Sequence, residues 1–165
     1  MSAPALVERD AAATWRSQRG VAITLAVGVL ALGLVFHAEV AAAVHVWMTS
    51  TAYNHCFLVV PIAVYLAWDR RMTLRGFVAE PEPLAALAGI PLAIGWLLAE
   101  RLGIMEGRQL MAMSFVELLA FAALGRRLWW QLAGPLLYLY FLVPFGDFLT
   151  PKLQDFTTWF VQHAL

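Results

Sequence analysis

The sequence predicts an all-α fold, a polytopic bundle of transmembrane helices, and three observations lead to this prediction. Hydrophobic residues make up 62% of the 165 residues. Charged residues make up 13%, well below the roughly 25% that is usual in soluble domains. The charges are collected in short groups between long apolar runs, as in a chain that crosses a bilayer several times. A soluble globular domain is excluded, because so few charges would not cover its surface.

The net charge and the cysteine content exclude further classes of protein. The formal net charge at pH 7 is +0, so there is no basic field to attract nucleic acid. The single cysteine, Cys56, excludes an internal disulfide and a multi-cysteine metal site. Glycine-rich phosphate loops and the HExxH and GxSxG motifs are also missing from the sequence. We therefore expect no nucleic acid partner, no metal site and no cofactor.

Five apolar runs are interpreted as membrane spans. The first follows a charged N-terminal tail, residues 1–19, and contains no charged residue. Its nineteen residues would form a helix of about 28 Å, close to the hydrocarbon thickness of a bilayer. Prolines inside later runs are compatible with spans, because neighbouring groups satisfy the carbonyls that they free. The transmembrane domain is predicted over residues 20–165, with spans at about 20–38, 54–68, 84–99, 109–124 and 128–145.

Two further segments are predicted to lie outside these spans. Residues 39–53 are too short and too broken to add a span, so we interpret them as an interfacial segment with Trp47 and Tyr53 at headgroup level. From Pro151 onward, apolar residues recur at helical spacing. This pattern predicts a terminal amphipathic helix or the start of a sixth span.

The positions of arginine and lysine predict the orientation. Eight of the eleven basic residues fall in the tail and in the loops after the second and fourth spans. The opposite side has only Arg101, Arg108 and Lys152. Because basic residues accumulate on the cytoplasmic side, the N-terminus is predicted to be cytoplasmic. The cytoplasmic group comprises Arg9, Arg16, Arg19, Arg70, Arg71, Arg75, Arg126 and Arg127.

His55 and Cys56 are adjacent at the outer end of the second span. A nearby imidazolium favours a thiolate, which would suggest a reactive pair. Adjacent helical residues, however, project about 100° apart and do not face each other. Cys56 is therefore interpreted as a small packing residue. His55 has two open interpretations, a group that lines a substrate site and a group that caps or anchors the span.

Glu117 and Arg108 are the other candidate substrate-binding residues. Glu117 lies near the middle of the fourth span, where a carboxylate is costly and usually faces protein or water. It is either a proton or substrate group, or a neutral acid bonded to a neighbouring helix. Arg108 lies at the outer end of the same span and is either a binding residue or an interfacial anchor. No residue is predicted to be catalytic.

Two blocks of the sequence resemble the exosortases, the bacterial polytopic membrane enzymes that sort exported proteins. The first block is NHCFLVVPIAVYLAWDRR, residues 54–71, which has His55, Phe57, Pro61, Trp68 and a basic pair in the family's order. The second is YLYFLVPFGDFLTPKLQDFTTWFVQHAL, residues 138–165. Cys56 departs from the pattern, because glycine is the commoner family residue at that place.

The resemblance implies a cysteine transpeptidase or peptidase of the bacterial cytoplasmic (inner) membrane. Its partners would be membrane lipids and exported proteins with a C-terminal sorting tail of the PEP-CTERM type, cleaved at the outer face. The family's catalytic Cys, Arg and His, with the Cys in an Ala-Cys-Ser-Gly-like motif, are not found in these residues. We therefore expect them beyond Leu165, which makes this chain an N-terminal part. The alternative is a non-catalytic membrane protein, such as a transport subunit or an assembly factor.

Overall fold

The computed structural model describes residues 3–74, 78–146 and 150–164, and over these ranges the chain is helical without a strand. The all-α prediction is confirmed for this part of the chain. The side chains of Arg9, Arg16, Arg75 and Lys152, which enter the charge comparison, lie outside the described part. The helices are α1 (Ala3–Val35), α2 (His37–Thr49), α3 (Cys56–Asp69), α4 (Gly89–Arg101), α5 (Met105–Tyr138) and α6 (Thr150–Ala164). Short 3-10 helices are Thr51–Tyr53, Arg70–Met72, Pro83–Ala88 and Leu139–Leu142.

The described helices include three stretches that are long and apolar enough to cross a membrane. A fourth is added if α1 and α2, which meet at an angle of 83°, count as one broken span. A membrane protein is therefore supported, while the count of five spans stays a prediction. The three stretches are Thr51–Met72, Pro83–Arg101 and Met105–Leu142.

The first predicted span ends earlier than the sequence suggested. Residues 37–38 belong to α2, because the chain bends at Phe36, whose φ and ψ are −98° and 30°. Neither proline nor glycine causes this bend. The Phe36 ring is buried and packs on Trp96 and Phe115, with ring centroids 6.0 Å and 5.5 Å away. Tertiary packing therefore sets the end of α1 and turns the predicted interfacial segment away from the α1 direction.

Helix α5 reverses direction at Gly125, which has φ 77° and ψ 163°. In a continuous helix, Ser114 and Tyr140 would lie about 39 Å apart along the axis. Their hydroxyl oxygens are 3.0 Å apart, so residues 105–124 and 126–138 form an antiparallel pair. Below, these are the first and second arms of α5. The first arm overlaps the fourth predicted span, and the second arm overlaps the first part of the fifth.

The fifth predicted span also ends earlier than residue 145. The α-helix ends at Tyr138 and continues as a 3-10 helix to Leu142. Val143 has an extended backbone with ψ 122°, because the residue before a proline avoids helical geometry. Pro144 therefore ends the helix three residues before the predicted boundary at Phe145.

The turn at Gly125 is held by the segment that follows the second span. The backbone N–H groups of Glu80 and Glu82 donate to the carbonyls of Leu124 and Ala122, at 3.2 and 2.9 Å. The Glu82 carboxylate accepts from the N–H of Arg126 at 3.1 Å, at the start of the second arm. A carboxylate at a helix N-terminus is favourable because the unpaired N–H groups and the helix dipole are positive there. These contacts place two predicted cytoplasmic loops at the same end of the bundle.

Candidate functional site

Glu39 is the most deeply buried charged residue in the described part of the chain, with 2% of its surface exposed. It lies on α2, three residues after the bend at Phe36. Its Oε1 accepts hydrogen bonds from Trp96 Nε1 at 2.9 Å and from Arg108 Nε at 2.8 Å. Three elements, α2, α4 and α5, thus converge on one carboxylate oxygen. A buried carboxylate is tolerated only when it is paired in this way.

Arg108 connects Glu39 to a second carboxylate. Its Nη2 lies 2.6 Å from Glu39 Oε1, and its Nη1 lies 2.5 Å from Glu100 Oε2. The guanidinium also lies 5.3 Å from the centroid of the Trp96 ring, within the range of a cation–π contact. Arg108 is therefore more than an interfacial anchor: it ties α2 and α4 to the start of α5.

Gln109 extends this polar cluster into the protein. Its side chain is buried, and Nε2 donates to the backbone carbonyl of Glu39 at 3.2 Å. Its Oε1 accepts no hydrogen bond within the described ranges. Glu39 and Gln109 are the polar residues in the wall of a cavity of about 230 Å³. The rest of the lining is apolar and comes from α1, α2, the first arm of α5, and Leu142 and Val143.

Glu117 lies on the same helix arm as Arg108 but belongs to a different contact. Its side chain is buried, and Oε2 accepts from Trp129 Nε1 at 3.3 Å across the α5 reversal. Its Oε1 has no partner among the described residues. This geometry agrees with one of the two interpretations of Glu117, that of a neutral acid bonded to a neighbouring helix.

His55 and Cys56 do not form a thiol–imidazole pair. His55 is exposed at the N-terminus of α3, makes no side-chain capping bond, and has its ring 6.4 Å from that of Tyr53. Cys56 is 1% exposed, and its Sγ donates to the carbonyl of Phe141 at 3.3 Å. This burial agrees with the interpretation of Cys56 as a packing residue. Its thiol faces a backbone carbonyl and not a basic side chain.

Cys56 is one of three side chains that hold the C-terminal end of the second arm. Trp47 Nε1 donates to the carbonyl of Leu142 at 3.0 Å, and the Tyr53 hydroxyl donates to that of Phe145 at 2.7 Å. The last carbonyls of a helix have no partner within the helix. Here three carbonyls at the end of this helix or just past it are satisfied by side chains from the end of α2, the 3-10 helix that follows it and the start of α3. We call these three residues, Trp47, Tyr53 and Cys56, the carbonyl clamp.

The structure thus keeps the three predicted substrate-binding residues apart. Arg108 belongs to the Glu39 cluster, Glu117 contacts Trp129, and His55 is exposed near the carbonyl clamp. Sequence reasoning missed Glu39, Trp96 and Gln109. The available signal was Glu39 itself, a lone carboxylate in an otherwise apolar stretch, which requires a partner of opposite charge.

Comparison with known proteins decides the family. The family model described as transmembrane exosortase matches residues 47–165, well over half of the chain. The chain belongs to the transmembrane exosortase family. The matched region contains every element of this exosortase-family chain from the end of α2 to α6, so the resemblance is confirmed. No curated protein and no solved structure matches the chain.

The candidate residues of this exosortase-family chain differ in how accessible they are. Its described residues contain no group of three His, Cys, Asp or Glu that could hold a metal ion. The thiol of Cys56 is buried against backbone, and the Arg108 guanidinium is engaged by two carboxylates. His55 is the candidate residue left accessible at the clamp end of the bundle.

Proposed function

We propose that this chain is the N-terminal membrane part of a cysteine transpeptidase or peptidase that cleaves the C-terminal sorting tail of exported proteins. The reaction would take place at the outer face of the bacterial cytoplasmic membrane. The observation that carries the proposal is the family match over residues 47–165. The apolar helices, which provide a membrane location, support it.

The contacts of the candidate residues support different roles for them in this function. Arg108 is already bound by Glu39 and Glu100, so a substrate carboxylate would have to displace one of them. His55 is exposed and needs no such exchange. We propose that His55 contacts the tail, whereas Arg108 and Glu117 hold the helices that position it. The nucleophile would be a cysteine other than Cys56, because a nucleophilic thiol needs an adjacent base.

Cleavage of a tailed reporter tests this function. The protein as its gene encodes it would be produced with an exported reporter that ends in a short sorting motif, an apolar span and a basic end. We expect the reporter to become shorter on a gel, and to do so equally with Cys56→Ala. Residues 1–165 alone are expected to insert into the membrane without shortening the reporter.

Two outcomes would contradict these expectations separately. An uncleaved reporter that reaches the membrane beside normally produced protein would favour a transport subunit or assembly factor. Cleavage that is lost in Cys56→Ala at normal protein levels would make Cys56 the nucleophile. A reporter with the sorting motif replaced by alanines is the matched control for unspecific proteolysis.

The proposed orientation has its own test. Fusions after Arg75 and after Arg127 are both expected to report the cytoplasm, and a fusion after Lys152 the outer side. The physical reason is the excess of basic residues on one side. The two cytoplasmic fusions serve as controls for each other, because the structure brings their segments together. Arg127 lies 3.9 Å from Glu80, which is in the same segment after the second span as Arg75. An alkaline phosphatase fusion that is active after Arg75 would refute the orientation.

A further inference from the structure

The cavity beside the Glu39 cluster is open on one side, and this opening does not depend on the proposed function. Val29 on α1 and Val40 on α2 line the cavity and are 45% and 49% exposed. Between them, Gly33 also lines the cavity, and a Cβ placed on it would meet no atom within 4 Å. The wall between α1 and α2 is therefore incomplete at these three residues.

The surface around this opening is apolar. Leu30 and Leu34, one turn apart on α1, are 69% and 77% exposed. Exposed leucines of this kind on a membrane protein face the hydrocarbon phase and not water. The opening of the cavity therefore lies on a surface suited to contact with the hydrocarbon phase.

The size and lining of the cavity decide what can enter it. Its volume of about 230 Å³ is far larger than the roughly 30 Å³ that a water molecule occupies in the liquid. Water in a protein needs two to four polar partners. The polar residues of this wall are Glu39 and Gln109; Gln109 Nε2 is bonded to the Glu39 backbone carbonyl, and Gln109 Oε1 is the buried side-chain atom of the two that is left without a partner in the described part. Close-packed interiors rarely leave such a space empty. An apolar occupant from the bilayer fits these conditions.

We propose that the cavity binds part of an acyl chain of a bilayer phospholipid. The chain enters between α1 and α2 at Gly33 and lies along the first arm of α5, against Ala112, Met113 and Val116. From Gln109 to Val116 this wall spans eight residues, a helical rise of about 10 Å. An aliphatic chain fills such a slot without bringing a polar group into it.

Photolabelling tests this site. The protein as its gene encodes it is placed in phosphatidylcholine vesicles whose acyl chains carry a diazirine, and adducts are mapped by mass spectrometry after irradiation. We expect an adduct on Met113 in the unmodified protein. Gly33→Leu fills the cavity from α1 and is expected to remove this adduct. Gly20→Leu is the matched control on the same helix, because its Cβ also meets nothing within 4 Å and it does not line the cavity.

Labelling of Ile94, which is 53% exposed on α4, measures general contact with lipid and is expected to be equal in all variants. Unchanged labelling of Met113 in Gly33→Leu would overturn the proposal. So would an unlabelled Met113 beside a labelled Ile94 in the unmodified protein, because another segment would then cover the cavity. Ala112→Leu, from the opposite wall, provides a second filling variant if Gly33→Leu does not accumulate.

Discussion

Replacing Arg108 by glutamine is expected to destabilise the protein by about 3–5 kcal/mol, the usual cost of leaving a buried charge without its partner. Glu39 would remain 2% exposed, with only Trp96 donating to its carboxylate. The stability of Arg108→Lys is expected to lie between that of the unmodified protein and that of Arg108→Gln. An ammonium keeps the charge, but it is a point charge and does not reproduce the planar guanidinium fork that binds both carboxylates. Thermal unfolding of the purified protein in detergent measures the difference.

Two further variants separate burial of charge from loss of an ion pair. The double variant Glu39→Gln, Arg108→Gln is expected to recover much of the loss, because neither position then carries a buried charge. Arg127→Gln removes an exposed ion pair, 3.9 Å long with Arg127 76% exposed, and is expected to cost less than about 1 kcal/mol. If the double variant were no more stable than Arg108→Gln, the carboxylate of Glu39 would not be the cause of the loss.

Gly125→Ala is expected to be the other severely destabilising change. With φ 77° and ψ 163°, Gly125 occupies a region that other residues enter only at a cost of about 1–3 kcal/mol. In addition, an ideal Cβ would lie 2.0 Å from the backbone oxygen of Glu80, which is not the end of a flexible side chain. The two arms of α5 would have to separate from the segment at Glu80, so both the amount of protein in the membrane and its Tm are expected to fall.

Two other glycines provide matched controls for this change. Gly103 also has a positive φ, 69°, but a Cβ there meets nothing within 4 Å. Gly103→Ala therefore reports the cost of a positive φ without a clash. Gly134 lies in the second arm, and a Cβ added to it would be 3.5 Å from Arg70 Nη2, an ordinary contact distance. Because alanine favours a helix more than glycine does, Gly134→Ala is expected to be neutral or stabilising. Equal Tm values for Gly125→Ala and Gly103→Ala would show that the turn at Gly125 is less tightly enclosed than described.

Local features of the sequence were sufficient for the membrane class and for most helix positions. Apolar runs and the Pro81 and Pro83 break predicted the stretches near α3, α4 and α5, because hydropathy and proline act at the residues that carry them. The reversal near residue 125 followed from the Arg126 and Arg127 pair between two apolar runs. The bend at Phe36 had no such local signal, since it depends on Trp96 and Phe115.

The candidate site was predicted in part for the same reason. Arg108 and Glu117 were identified because a charge in or beside an apolar run is costly wherever the chain folds. Their partners were not predictable: Glu39 is sixty-nine residues from Arg108, and Trp129 meets Glu117 only after the chain reverses. Pairings across such distances depend on the tertiary fold.

The carbonyl clamp has a consequence for the order in which the protein assembles. Its bonds join residues 85, 92 and 95 positions apart, so none of them can form until the ribosome has synthesised the chain as far as the carbonyl concerned. Non-local contacts of this kind also form late, because a long loop must be closed first. Until then the thiol of Cys56 and the indole of Trp47 have no backbone partner from the second arm. The clamp end of the bundle can therefore become ordered only after the chain has been synthesised as far as Phe145.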